Sequence, residues 1–157
     1  MSIATKLKNH MVRKHVDFDL TEHRLTNGSM STAEACDLSP DCLAKAVVVR
    51  TRDGYVLAVL PASQRLSLWR LQTEVNQRCA LATEKEIDQL FDDCAHGAVP
   101  AIGECYGLDV IADASIFDQP EVYFEGGDHM TLVHTSQAQF ARLHEDARRA
   151  AFSVSFE

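Results

Sequence analysis

Two runs decide the fold, Ala46-Val47-Val48-Val49 and Tyr55-Val56-Leu57-Ala58-Val59-Leu60, separated by Arg50-Thr51-Arg52-Asp53-Gly54. Both are apolar or β-branched, the composition of strands buried on two faces. Asp53-Gly54 supplies a short turn, so the pair reads as a hairpin joined across those two residues. Downstream, Asp109 to Ala112, Val122 to Glu125 and Met130 to His134 are three more strand-like runs. The last two are joined by Gly126-Gly127-Asp128.

Helical signals surround these strands. Ile3, Leu7 and Met11, spaced by four, predict an amphipathic helix at the N-terminus. Ser31 with Glu34 predicts a capping box opening a short helix through Cys36, and Ser39-Pro40 starts another helical turn. Leu68, Leu71 and Val75 carry helical spacing, and Cys79 to Ala82 is a short apolar run. Thr83 with Glu86 forms a second capping box, before a helix whose apolar face is Ile87, Leu90 and Phe91. Ser136 with Gln139 opens a last helix, expected to reach about Ala150 and to end basic at Arg148 and Arg149. Helices at both ends and hairpin-linked strands between them predict a single α+β domain over residues 1–157. Its sheet is expected to be curved, mixed and mostly antiparallel, flanked by helices.

Composition narrows the function classes. The chain has 157 residues, 46% hydrophobic and 24% charged, an ordinary globular balance. No apolar run approaches the roughly 20 residues of a membrane span. A net charge of -8 argues against gripping a nucleic-acid backbone by bulk charge, so DNA is not an expected partner. It leaves room for a small site that reads one end of such a molecule. Five cysteines without a C-x-x-C pair read as free thiols in a reducing compartment. The N-terminus has no apolar segment of a secretory signal, and a cytoplasmic location is expected. No H-E-x-x-H, no His/Cys pairing at ligand spacing, no G-x-S-x-G and no phosphate-binding glycine loop is present. Neither a metal nor a cofactor is expected.

Three places carry candidate chemistry. Lys45 opens an apolar strand, where an amine either snorkels to the sheet edge or points at an anion in a cleft. The loop Gly97-Ala98-Val99-Pro100-Ala101-Ile102-Gly103 is almost uncharged. It either fills a buried connection or presents N–H groups to a carbonyl oxygen. Gly127-Asp128-His129 is either a tight polar turn or the seat of a histidine that contacts an ester or a ribose hydroxyl. Asp92 and Asp93 read as a solvated face, and Trp69 and Tyr106 as packing residues.

In order and spacing these segments resemble the YbaK/ProX family of aminoacyl-tRNA deacylases, editing domains also found inserted in or appended to prolyl-tRNA synthetases. The resemblance is carried by Lys45 to Arg50, Tyr55 to Ala62, Leu81-Ala82-Thr83, Gly97 to Gly103, Tyr106-Gly107-Leu108, Asp113, and Tyr123 to His129. It covers roughly residues 20 to 145. It implies a free-standing trans-editing enzyme that hydrolyses the ester of a mischarged tRNA. The tRNA would be one for proline, carrying a small residue such as Ala, Cys or Ser, with prolyl-tRNA synthetase as a possible partner. The family's functional lysine corresponds to Lys45. Its Gly-x-x-x-Pro loop begins at Gly97, and its Gly-Ser-His turn corresponds to Gly127-Asp128-His129. Ala101 stands where the loop motif has proline, Asp128 where it has serine, and Ala46 where some members have a polar residue. These departures bear on specificity. They also support the competing reading of a non-catalytic module that binds aminoacyl-tRNA ends or a synthetase. Ala98, Val99 and Ile102 are expected to wall a pocket for a small side chain.

Overall fold

A computed structural model describes residues 3–156. Helix α1 (Thr5–Arg13) buries Leu7 and Met11 as the four-residue spacing requires, and Ile3 is buried just before it. Strand β1 (Asp19–Glu22) and helix α2 (Ser29–Ala35) follow. Helix α2 begins two residues before Ser31. Gly28 takes the N-cap position with φ +108°, and the Thr32 hydroxyl donates to the Gly28 carbonyl at 3.0 Å. The expected Ser31–Glu34 box is therefore not used. A short 3-10 turn, Pro40–Cys42, is capped by Ser39, whose hydroxyl accepts from the Asp41 N–H.

The hairpin forms from β2 (Leu43–Thr51) and β3 (Gly54–Pro61), in register Thr51 to Gly54. The two-residue turn is therefore Arg52-Asp53, one position earlier than expected. Gly54, at φ +136°, is the first strand residue. Then come β4 (Gln64–Leu66), α3 (Leu68–Val75), β5 (Ala80–Leu81) and α4 (Glu84–Leu90). Both halves of the Thr83–Glu86 capping box are made at α4. After the long loop, β6 (Asp109–Asp113), β7 (Glu121–Glu125) and β8 (Thr131–Ser136) complete the expected strands.

Helix α5 (Gln137–Leu143) starts under a Ser136 cap but stops at His144. It does not reach Ala150, because Arg148–Ala150 form β9, which pairs in parallel with β6. An open strand edge outweighs local helix propensity here. Arg149 lies over the Phe117 ring at 3.6 Å, and Arg148 reaches Glu74 at 3.4 Å. The last strand, β10 (Ser153–Ser155), pairs with β4 in a separate ribbon.

The main sheet runs β1-β8-β7-β2-β3-β6-β9, with β5 added to β2. Pairs β2–β7, β3–β6 and β6–β9 are parallel and the others antiparallel, so the sheet is mixed and mostly antiparallel. Alternation along β2 divides the core. Ala44 and Val48 face the larger cluster, with Phe91, Phe124 and Phe140. Val49 faces a second cluster with Leu60, Leu71 and Phe152, beneath α3 and the β4–β10 ribbon. By the same alternation Lys45 leaves the strand on the Phe152 face. None of the described helices is long and apolar enough to cross a membrane.

Candidate functional site

The sheet leaves one gap. On the edge of β2 away from β3, strand β7 pairs only at Leu43 and Ala44, and β5 begins pairing at Val49. The Leu43 carbonyl accepts from Ala62 on the β3 side, and the Val48 carbonyl accepts from Ala82 on the β5 side. Ala46, two residues before Val48, therefore turns its N–H and C=O toward the gap, where no strand reaches them. A cleft of about 290 Å³ opens there. Lys45 and Ala46 line it from β2, Gly97 and Val99 from the long loop, and Glu125 and His129 from the β7–β8 turn. Gly28 and Thr32 of α2 form one lip, Glu84 and Ile87 of α4 the other.

Lys45 is half-buried, and that burial pulls its ammonium below the ordinary lysine pKa. Its Nζ stands 5.1 Å from the centre of the Phe156 ring. The loop that lines the cleft with it is tightly held. Gly97 has φ +80°, and a Cβ there would stand 3.5 Å from the His129 ring. Only glycine takes this turn at no cost. The Ala98 N–H is committed to the Ala95 carbonyl. The N–H groups of Gly97 and Val99 have no hydrogen-bond partner among the described residues. Further along, His144 is buried with Nε2 2.8 Å from the Ala101 carbonyl and Nδ1 2.8 Å from that of Phe140. The ring ties the loop to α5, and burial pushes its pKa down.

His129 sits at φ +66°. Its Nε2 is 2.5 Å from the His96 carbonyl, which can only accept, so Nε2 carries the proton. In the neutral ring Nδ1 is then an acceptor. The His129 backbone N–H donates to Glu125 Oε1 at 2.6 Å. Burial raises the Glu125 carboxyl above the usual range, and the N–H groups of His129 and Gly127 only partly offset that.

Of the residues singled out in the sequence, Lys45, Gly97, Val99 and His129 converge on the cleft. Ala98, Pro100, Ala101 and Ile102 are buried behind it, so Val99 alone of the expected apolar wall faces the cavity. Gly127 and Asp128 do not line it either. The Gly127 carbonyl accepts from Ala95 at 2.7 Å, joining the two loops. Asp128 Oδ1 accepts from the Met130 N–H and Oδ2 from the Thr131 hydroxyl, closing the turn. Ala101 and Asp128, two of the three departures from the motif, therefore lie off the cavity surface. Asp93 is not a solvated residue, since it accepts from the Lys6 N–H and the Tyr106 hydroxyl. Trp69 is 74% exposed and packs on no core.

Sequence reasoning missed Glu125, Thr32 and Ile87 as cleft residues. The available signal for Glu125 was a carboxylate ending an apolar strand immediately before two glycines. Thr32 and Ile87 gave none, because α2 and α4 reach the cleft only through the tertiary fold.

The site is thus a strand edge opened into a cleft, lined by a half-buried amine, a glycine-led loop, a carboxylate and a histidine. Residues 23–143 match the aminoacyl-tRNA editing domain family, and the chain belongs to that family. Its fold is similar to that of a proposed trans-editing enzyme for prolyl tRNA synthetase (TM-score 0.83, 22% identity, 97% of each chain covered). It also resembles a scaffold used for grafting linear epitopes (TM-score 0.82, 20% identity, 97% of each chain). A proposed signal transduction protein from Marinobacter aquaeolei VT8 contains the fold within a longer chain. That match has a TM-score of 0.76 and 14% identity, over 96% of this chain and 30% of the other. No curated protein sequence matches the chain.

Proposed function

We propose that this domain hydrolyses, in trans, the ester that joins a small amino acid to a mischarged tRNA, with Ala, Cys or Ser on a tRNA for proline as the substrates. The observation that carries this reading is one cleft lined together by Lys45 from β2, Gly97 and Val99 from the long loop, and Glu125 and His129 from the β7–β8 turn. Hydrolysis of an ester places negative charge on the carbonyl oxygen, and fixed amides stabilise that charge at no reorganisation cost. Lys45 meets a phosphate of the terminal nucleotide as a point charge. Glu125, ionised, receives the α-ammonium group of the amino acid. His129, its Nε2–H engaged by His96, keeps Nδ1 to accept from a ribose hydroxyl. Water attacks the carbonyl carbon, the ester C–O bond breaks, and the ribose oxygen leaves with a proton. Assistance from the tRNA's own terminal hydroxyl is what the family resemblance implies.

Such an activity answers a limit of synthetase pockets. These reject a slightly smaller amino acid by only about 1–3 kcal/mol, so a second site must clear the errors. Action beside prolyl-tRNA synthetase, in the cytoplasm, belongs to the same proposal.

The test is hydrolysis of Ala-, Cys-, Ser-, Thr- and Pro-tRNA for proline, with cognate controls, by wild type and by Lys45→Ala. Loss of one or two small mischarged species, abolished by the substitution, is the expected result. A folded Lys45→Ala protein with full activity would remove Lys45 from the mechanism. A flat panel with folded wild type would leave a binding module in place of the enzyme.

A further inference from the structure

The C-terminal strand brings an aromatic ring to the functional lysine. Phe152 is completely buried in the second core cluster, and Phe156 follows it by four residues. In an extended chain that even spacing puts both rings on one face. Phe152 is thus the anchor and Phe156 the tip. Asp113, singled out in the sequence without a role, fastens the anchor. Its Oδ2 accepts from the Phe152 and Ser153 N–H groups at 3.0 and 2.8 Å, and its Oδ1 from the Ser115 N–H and hydroxyl. Pairing of β10 with β4 carries the tail onward to Lys45. Phe91, Phe117, Phe124, Phe140 and Phe152 are all buried, whereas Phe156 is 53% exposed. Its ring lies against the Lys45 ammonium and still meets solvent.

We infer that Phe156 is a stacking platform for the terminal base of the nucleic-acid end whose phosphate Lys45 receives. A flat apolar ring next to an ammonium matches the two chemistries of a single-stranded nucleotide, a π-face and an anion separated by one sugar. Aromatic side chains beside cationic groups bind unpaired ends in this way, tolerant of sequence. Phe156 lies outside the span 23–143 that matches the family. The inference rests on the editing reading for its nucleotide, and binding and turnover separate the two.

The trinucleotide cytidylyl-cytidylyl-adenosine is titrated into wild type, Phe156→Ala and Phe156→Trp, followed by NMR. The substituted residue is exposed and outside the core, so all three proteins are expected to fold. Phe156→Ala is expected to weaken binding about ten- to a hundredfold, the range for loss of one base–aromatic stack, and Phe156→Trp to retain it. On mischarged tRNA the alanine variant is expected to raise KM while leaving kcat unchanged. Equal binding by wild type and Phe156→Ala, or no binding by wild type, overturns the platform. Phe156-dependent binding with a flat hydrolysis panel keeps the platform and removes the deacylase reading. Hydrolysis with Phe156-independent binding and KM does the reverse.

Discussion

Lys45 and Gly97 show how single residues set the chemistry of the cleft. Burial lowers the Lys45 pKa, so the ammonium loses its charge at a lower pH than an exposed lysine does. The profile of kcat/KM against pH is therefore expected to fall on an alkaline limb whose midpoint lies below the ordinary lysine value. Lys45→Arg, which stays charged, is expected to remove that limb even where its maximum is lower. A limb unmoved by the substitution would assign it to another group. Gly97 is constrained by its backbone, at φ +80°, whereas a Cβ there would meet the His129 ring at an ordinary contact distance of 3.5 Å. Gly97→Ala carries a backbone penalty of about 1–2 kcal/mol, which the loop relieves by shifting away from this turn. Its kcat/KM is expected to drop at least tenfold while the protein stays folded by circular dichroism. Both residues were legible in the sequence, one as an amine at a strand mouth and the other as the leader of an uncharged loop. Ala98 and Ile102 were legible as apolar but not as hidden, because which side of a loop meets solvent is decided by partners distant in sequence. Here His144 is one such partner, holding the Ala101 carbonyl from α5.

Elements were readable where their signals were local. The β2–β3 hairpin and the α4 capping box each need only a few neighbouring residues, and both form nearly as spelled. Thr83→Ala deletes the hydroxyl that accepts from the Glu86 N–H, and is expected to cost about 1 kcal/mol. In a chain of this size that lowers Tm by about 2–4 °C, readable by calorimetry. Strands β9 and β10 were not readable, since Arg148–Ala150 and Ser153–Ser155 take their conformation from β6 and β4, far earlier in the chain. Asp113 is the joint between these parts. Burial pushes its carboxyl up, but the hydrogen bonds from Ser115, Phe152 and Ser153 outweigh that and hold it below the usual range. A carboxylate whose pKa is lower folded than unfolded adds stability above its unfolded pKa and loses it as the pH falls through the folded value. Asp113→Asn is expected to cost about 2–3 kcal/mol at neutral pH and to flatten the acid side of the stability curve. Parallel acid limbs in urea titrations of the two proteins would refute that role.

The whole molecule carries a net charge of -8, which constrains how an RNA can be held. Several of its cations are already paired with carboxylates: Lys6 with Asp92, Lys14 with Glu104 and Glu145, and Arg148 with Glu74. Lys45 sits instead at the cleft, on the face that receives the C-terminal tail. Binding should therefore rest on the terminal nucleotide and its amino acid rather than on the length of the acceptor stem. Salt dependence measures this directly, because each phosphate neutralised on a single strand contributes about -0.7 to the slope of log affinity against log salt. One or two such contacts predict only an about three- to sevenfold loss between 50 and 200 mM salt, where six to ten would give at least about three hundredfold. A shallow slope in kcat/KM for mischarged tRNA, matched by that of a short acceptor-stem hairpin, is the expected result. A steep slope for the full tRNA alone would mean that exposed cations outside the cleft, Arg65, Arg70 and Arg78 among them, or a partner protein, grip the rest of the molecule, and would move the search for specificity away from the cleft.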